Sequence, residues 1–160
     1  MKKLFLLALP LLTVLFVFAK CEKDLDEMVG LPVAVTNYIS QNYAGYDFDE
    51  SEKDSLCTGA VVYEVELEKG KSEVELTFDS EGNYLFSETE IKTSDLPQAV
   101  KDGILANYAG FSTKEAERLD MADGLKRYET ELKNSSMVKE VLFNADGSVV
   151  CEAIENDDDE

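Results

Sequence analysis

The stretch Leu31–Val35 reads Leu-Pro-Val-Ala-Val, and 65 residues later Leu96–Val100 reads Leu-Pro-Gln-Ala-Val. The same offset joins Asn42–Gly45 to Asn107–Gly110, which both read Asn-Tyr-Ala-Gly. It holds without a gap through the glycine, Tyr-Glu and phenylalanine landmarks that follow. One constant offset over so many separate landmarks indicates that a single supersecondary unit occurs twice.

Each copy opens with the pattern of a helix. Its proline falls in the first turn, where the missing N–H costs no hydrogen bond. Apolar residues then recur at every fourth position, which gives one apolar stripe on a helix. The stripe consists of Val35, Ile39 and Tyr43 in the first copy and Val100, Ile104 and Tyr108 in the second.

The period then changes from 3.6 to 2. Apolar and polar residues, the polar ones mostly glutamate, alternate in Tyr63–Glu68 and Glu73–Phe78, as is typical of antiparallel strands with one buried and one wet face. The polar stretches near Lys53–Cys57 and Arg118–Met121 predict short edge strands. The turn sequences Asp-Ser-Glu-Gly and Asn-Ala-Asp-Gly predict hairpins. Their expected register pairs Phe78 with Tyr84, Leu76 with Phe86, Phe143 with Val149 and Val141 with Cys151.

These patterns predict an α+β fold of two tandem repeats, each with one helix packed on a three- or four-stranded antiparallel sheet. The predicted core consists of Val35, Ile39, Tyr63, Val65, Leu76 and Phe78 in the first copy and Val100, Ile104, Tyr128, Val141 and Phe143 in the second. The predicted organisation is a signal peptide at 1–19, a linker at 20–30, repeats at 31–90 and 91–154, and an acidic disordered tail at 155–160.

The first residues have the features of an export signal. Two lysines precede an apolar segment that is too short for a typical membrane span. Two processing routes stay open, namely cleavage after Ala19 or lipidation at Cys21. We therefore expect an exported protein, periplasmic or secreted, with contact to a membrane only through a lipid at Cys21.

Composition excludes several function classes. The formal net charge of −19 disfavours binding to nucleic acid or to an anionic membrane surface. The absence of histidine removes the usual zinc sites and the Ser-His-Asp and Cys-His forms of catalysis. The acidic run that starts at Asp47 has Glu52 where a calcium loop needs glycine. We expect no catalytic residue, no metal and no cofactor.

Three cysteines are an odd number for an exported chain. If Cys21 carries lipid, Cys57 and Cys151 remain as a candidate pair; otherwise at least one thiol is free or pairs elsewhere. Cys151 aligns with the aromatic Phe86 of the first copy, so we expect it to act as a small buried hydrophobe.

The motifs together resemble the PepSY-like family, also described as β-lactamase-inhibitor-protein-like. The features that match are the Leu-Pro-x-Ala-Val helix start, the Tyr-Glu-Val-Glu-Leu and Tyr-Glu-Thr-Glu-Leu strands and the two Phe-x-x-x-Gly hairpins. The resemblance implies two α/β units whose sheets lie side by side with both helices on one face. It also implies a bacterial envelope location and no catalysis.

We interpret the chain as a non-catalytic exported module that binds or inhibits a protein partner, such as a basic protein or a hydrolase. The alternative is a structural or adhesin-like lipoprotein anchored through Cys21. The partner would meet the sheet face opposite the helices, where apolar residues lie among carboxylates. The residues predicted for this face are Glu64, Glu66, Glu73, Glu75, Leu85, Glu129, Glu131, Glu140, Leu142 and Val150.

Overall fold

The computed structural model describes Met28 and residues 30–155, which form two α-helices, one short 3-10 helix (Thr93–Asp95) and eight strands. The helices are α1 (Val33–Asn42) and α2 (Gln98–Asn107). The strands are β1 (Asp47–Ser55), β2 (Val61–Lys69), β3 (Ser72–Asp79), β4 (Tyr84–Glu90), β5 (Ser112–Met121), β6 (Lys126–Lys133), β7 (Val138–Asn144) and β8 (Val149–Glu155).

Some of the predictions from the sequence concern residues other than Met28 and 30–155. The signal peptide at 1–19, most of the linker at 20–30 with Cys21, and residues 156–160 of the predicted tail lie outside the described residues. Glu155, the first residue of the predicted tail, is instead the last residue of β8. The repeat boundaries at 31–90 and 91–154 stay predictions.

All eight strands form one antiparallel sheet in chain order, from β1 at one edge to β8 at the other. The prediction of two tandem units, each with a helix on its own three- or four-stranded sheet, is therefore wrong. The protein is mostly β, with two short helices on one continuous sheet. The physical reason is that two separate sheets would each leave a strand edge with unpaired N–H and C=O groups, whereas pairing β4 with β5 satisfies both. The prediction of an edge strand at Arg118–Met121 fails for the same reason, because β5 lies inside the sheet.

Both helices pack on the same face of this sheet, which we call the helix face. Val35 and Ile39 of α1 cover the apolar residues of β2 and β3. Val100 and Ile104 of α2 cover those of β6 and β7. Of the predicted core residues, Val65, Leu76, Phe78, Val141 and Phe143 are fully buried, while Tyr63 and Tyr128 are half-buried at the margins.

The expected hairpin register is only half right. Phe78 pairs with Tyr84 as predicted, but Phe86 pairs with Thr77 rather than Leu76 because Leu85 is an extra residue in a β-bulge. In the second hairpin Val150 is the extra residue. Phe143 therefore faces Val149 as predicted, but Cys151 pairs with Leu142 rather than Val141.

Each bulge shifts the alternation of its strand by one residue. A one-residue shift moves every later side chain to the other face of a sheet. The bulges therefore place Phe86 and Cys151 on the face opposite the helices, which we call the open face.

Truncating either central phenylalanine should destabilise the whole sheet. Phe78→Ala and Phe143→Ala each remove a fully buried ring from the helix face. We expect each to lower the free energy of unfolding by about 3–5 kcal/mol, through lost burial and an unfilled cavity. Urea unfolding measures the change, with Leu105→Ala as the control because Leu105 is 75% exposed. A Phe143→Ala protein as stable as the control would contradict the assigned core.

Candidate functional site

The open face has an apolar centre that spans both halves of the chain. Phe86, Leu119 and Leu142 are 4%, 1% and 9% exposed and form one cluster, although they come from β4, β5 and β7. Both bulge residues, Leu85 and Val150, are half-buried against this cluster. The β4–β5 pairing builds the cluster because it sets Met121 opposite Phe86 and Leu119 opposite Glu88.

A cavity of about 270 Å³ lies over this apolar centre. Its apolar lining is drawn from β4, β5, β7 and the turn between β1 and β2. Its charged lining consists of Asp54, Glu64, Glu88, Glu129, Glu140 and Arg127. The cavity therefore combines an apolar floor with five carboxylates and a single guanidinium.

A disulfide joins the two edges of the sheet across the open face. It links Cys57, in the turn between β1 and β2, to Cys151 of β8, with Cα atoms 5.9 Å apart. In a flat sheet β1 and β8 would lie about 34 Å apart, at about 4.8 Å between neighbours. Cys57 is two residues beyond β1 and could reach only about 7 Å from it. The sheet must therefore curl around its open face, which makes the cavity a recess.

Cys57 and Cys151, one of the alternatives that the sequence left open, are thus the bonded pair. Cys151 is half-buried and bonded rather than a small buried hydrophobe. Leu56, next to Cys57, packs against the apolar cluster. The turn between β1 and β2 thus forms one wall of the recess.

Carboxylates crowd the recess closely enough to change their ionisation. Burial, followed by the neighbouring Glu75, raises the pKa of Glu64 to about 7. Burial, followed by Glu140, raises the pKa of Glu129 to about 7. Burial and a hydrogen bond with Glu117 hold the pKa of Glu88 well above its ordinary value.

Two further glutamates on the outer part of this face behave similarly. A hydrogen bond with Glu73, followed by burial, raises the pKa of Glu66 to about 7. Burial and nearby Glu117 raise the pKa of Glu75. Burial and mutual repulsion therefore make these carboxyl groups hold protons that isolated carboxylates would release.

Two polar groups here lack partners among the described residues. Thr77 is fully buried and lies between Glu64 and Phe86 in the cross-strand register, and its Oγ1 makes no hydrogen bond. The Nε of Arg127 is buried and makes none either. Buried polar groups in native proteins are nearly always paired, so both atoms are exceptions. Arg127 belongs to the lining of the cavity, and Thr77 does not.

The described residues contain no cluster of metal-ligating side chains. Within the same part of the chain, neither helix is long and apolar enough to cross a membrane.

A family model described as beta-lactamase-inhibitor-like, PepSY-like matches residues 20–86 and, in a second overlapping region, 62–150. The chain belongs to the PepSY-like family. The resemblance inferred from the motifs is thereby confirmed. No curated protein matches the chain.

Solved structures from Bacteroides share the fold of this PepSY-like chain. A DUF2874 family protein from Bacteroides uniformis has a TM-score of 0.56 at 14% identity, over 78% of this chain and 89% of that chain. A protein from Bacteroides eggerthii, described provisionally as periplasmic, has a TM-score of 0.55 at 13% identity, over 77% and 88%. A BLIP-like protein from Bacteroides fragilis has a TM-score of 0.52 at 19% identity, over 86% and 97%. At these identities the likeness concerns the fold alone.

The recess of the PepSY-like chain brings together half of the residues predicted for a partner-binding face. Those in its lining are Glu64, Leu85, Glu129, Glu140 and Leu142, and Val150 packs against the same cluster. Glu66, Glu73, Glu75 and Glu131 lie outside it, along other, more open grooves of the same face.

Sequence reasoning missed several residues of the recess, which are Asp54, Leu56, Phe86, Glu88, Leu119, Met121 and Arg127. The alternation of Leu119 and Met121 with charged residues indicates an apolar strand face, but it points to the recess only once β5 is known to pair with β4.

The crowded carboxylates should make the protein less stable at neutral pH than at mildly acidic pH. A carboxyl group whose folded-state pKa is raised binds more protons in the folded than in the unfolded state between about pH 4.5 and pH 7. Its stabilising contribution is complete below the ordinary pKa and is lost as the pH rises through the raised value. One pKa unit corresponds to about 1.4 kcal/mol, reduced by solvent around half-buried groups, so we expect a loss of about 1–3 kcal/mol from pH 5 to pH 8.

Urea unfolding at several pH values, at constant ionic strength, measures this loss. Glu129→Gln should reduce the pH dependence, and Glu131→Gln, outside the recess, serves as the control. Below about pH 4 the slope should reverse. There Asp79 and Glu152 lose contributions that come from lowered pKa values, caused first by hydrogen bonds from Asn83 and Lys139. A flat profile from pH 5 to pH 8 would contradict the assigned crowding.

Proposed function

We propose that this chain is a non-catalytic exported module of the bacterial envelope that binds or inhibits a protein partner through its open face. The observation that carries the proposal is the apolar recess, because it is surrounded by carboxylates and backed by a curled, disulfide-linked sheet. Protein-binding surfaces commonly have an apolar centre with a polar rim.

The family model and two of the solved structures support this function. The family description names an inhibitor-like group, and the Bacteroides fragilis structure is described as BLIP-like. The provisional periplasmic description of the Bacteroides eggerthii protein agrees with the export signal at 1–19. A partner with a basic surface, a hydrolase among them, would be attracted by the acidic rim, so salt should slow association more than it speeds dissociation.

Removing apolar contacts from the recess should abolish partner capture. Leu85→Ser and Val150→Ser are the variants of choice, because both residues are half-buried bulge residues and Leu142 is more deeply buried. The protein, with or without the two substitutions, is used to capture envelope proteins from the producing bacterium, and mass spectrometry quantifies what is held. Purified β-lactamases provide a direct assay of inhibition.

Leu105→Ser is the matched control, since it replaces an apolar residue that is 75% exposed on α2. We expect the control to capture the same proteins as the parent and the double variant to lose them. If the double variant is folded and its captured set is unchanged, the open face is not the working surface.

A second function is favoured by the disulfide, because Cys57 and Cys151 use up both cysteines of the described residues. Cys21 is the third cysteine of the chain. Its place beside the export signal suits a lipid-anchored, structural or adhesin-like envelope component.

The mature N-terminus separates a lipoprotein from a freely exported protein. For a lipoprotein, we expect mass spectrometry to find Cys21 as the first residue with attached acyl chains, and Cys21→Ser to release the protein from membranes. A mature chain that begins at Lys20 without lipid would contradict anchoring and leave binding by the open face untouched.

A further inference from the structure

The shape of the recess limits what can enter it. Its volume of about 270 Å³ is just below the range of about 300–1,000 Å³ found for pockets that hold drug-sized ligands. One long side chain of a partner suits this space better than a large cofactor. The floor is apolar, since Phe86, Leu119 and Leu142 are all buried there.

The charge of the recess selects the kind of side chain. Carboxylates arrive from five different strands, as Asp54 (β1), Glu64 (β2), Glu88 (β4), Glu129 (β6) and Glu140 (β7). Arg127 is the single basic residue of the lining and lies opposite Leu119, two positions along β6 from Glu129. Burial, and after it the repulsion between carboxylates, raises the pKa of Glu64 and Glu129, and a second cation would relieve that repulsion.

One further polar group lies close to Glu64, beneath the residues that line the recess. Thr77 is fully buried on the open face between Glu64 and Phe86, and its Oγ1 has no partner among the described residues. Thr77 is enclosed by protein and is not among the residues that line the recess, so a cationic head in the recess would meet the carboxylates rather than this hydroxyl. A bare divalent ion fits the recess less well than a side chain, because the ion needs oxygen ligands on several sides and the floor of the recess is apolar.

We propose that the recess binds the side chain of a lysine or arginine presented by the partner protein, with its apolar stem on the floor and its cationic head among the carboxylates. This rests on the function proposed above and names the chemistry that the open face recognises. Lysine and arginine bury their stems along apolar surface while their charged heads stay in polar surroundings, which is the division that the recess offers.

The test uses the purified full-length protein and n-butylammonium, which reproduces the end of a lysine side chain. Its binding is followed by amide chemical shifts in NMR at fixed pH and ionic strength. The comparison probes are methylammonium, which lacks the stem, n-butanol, which lacks the charge, and butyrate, which reverses it. We expect saturable shifts at recess residues with n-butylammonium and binding at least about tenfold weaker for the other three.

Variants then locate the charge recognition. Glu129→Gln should weaken the binding of n-butylammonium about tenfold, which is the loss expected for one charge-assisted hydrogen bond. It should leave the binding of n-butanol unchanged. Glu131→Gln, on the same strand and face but outside the recess, should leave both unchanged. If Glu129→Gln does not fold, Glu64→Gln on β2 tests the same point.

The results distinguish this inference from the proposed function. Equal binding of n-butanol and n-butylammonium, no saturable binding, or an equal effect of Glu131→Gln would overturn the inference. If the inference fails in this way while Leu85→Ser with Val150→Ser still abolishes partner capture, the proposed function stands. If n-butylammonium binds as expected while partner capture survives the double substitution, the recess recognises cations and the proposed function fails.

Discussion

The pairing of β4 with β5 is the contact on which the rest of the structure depends. It runs from Phe86 opposite Met121 to Glu90 opposite Glu117 and joins two sequence-related halves into one sheet. Without it each half would end in an unpaired edge, and Phe86 and Leu119 would have no common face to share. The apolar centre, the recess above it and the disulfide across it all require the two halves to be continuous.

The two β-bulges decide what that continuous face presents. In a regular hairpin Phe86 and Cys151 would point toward the helices and enlarge the helix-face core. The extra residues Leu85 and Val150 turn both side chains outward, so apolar surface is placed where strand alternation alone would put polar groups. Bulges of this kind often occur where a sheet is adapted to a site, and here both bulges serve the same cluster.

The local elements could be predicted from the sequence because their signals are local. Periodicity predicts both helices and most strands. It also predicts that Phe78 and Phe143 are buried, because the apolar residues that alternate along a strand share one face. The bulges could not be found in this way. Tyr84, Leu85 and Phe86 are three consecutive apolar residues, so the sequence does not tell which of them face the helices and fits the strand pairing with or without a bulge. The β4–β5 pairing joins segments separated by a helix, and the polar β5 gave little indication of an interior strand. The recess depends on the bulges and on the β4–β5 pairing, so only half of the predicted face residues lie in it.

The distribution of charge over the two faces gives the open face its character. Several basic residues lie on the helix face, as the register shows for Lys53, Lys69, Arg118 and Lys139. On the open face, carboxylates stand directly opposite one another in the pairs Glu66 and Glu75, Glu68 and Glu73, Glu117 and Glu129, and Glu131 and Glu140. Like charges directly opposite each other destabilise a sheet, and mixing lysine with glutamate would keep the face equally soluble without that cost. Solubility alone therefore does not account for the arrangement. The cationic partner that we propose would account for it, because its positive charge would offset the repulsion between the carboxylates and so favour binding.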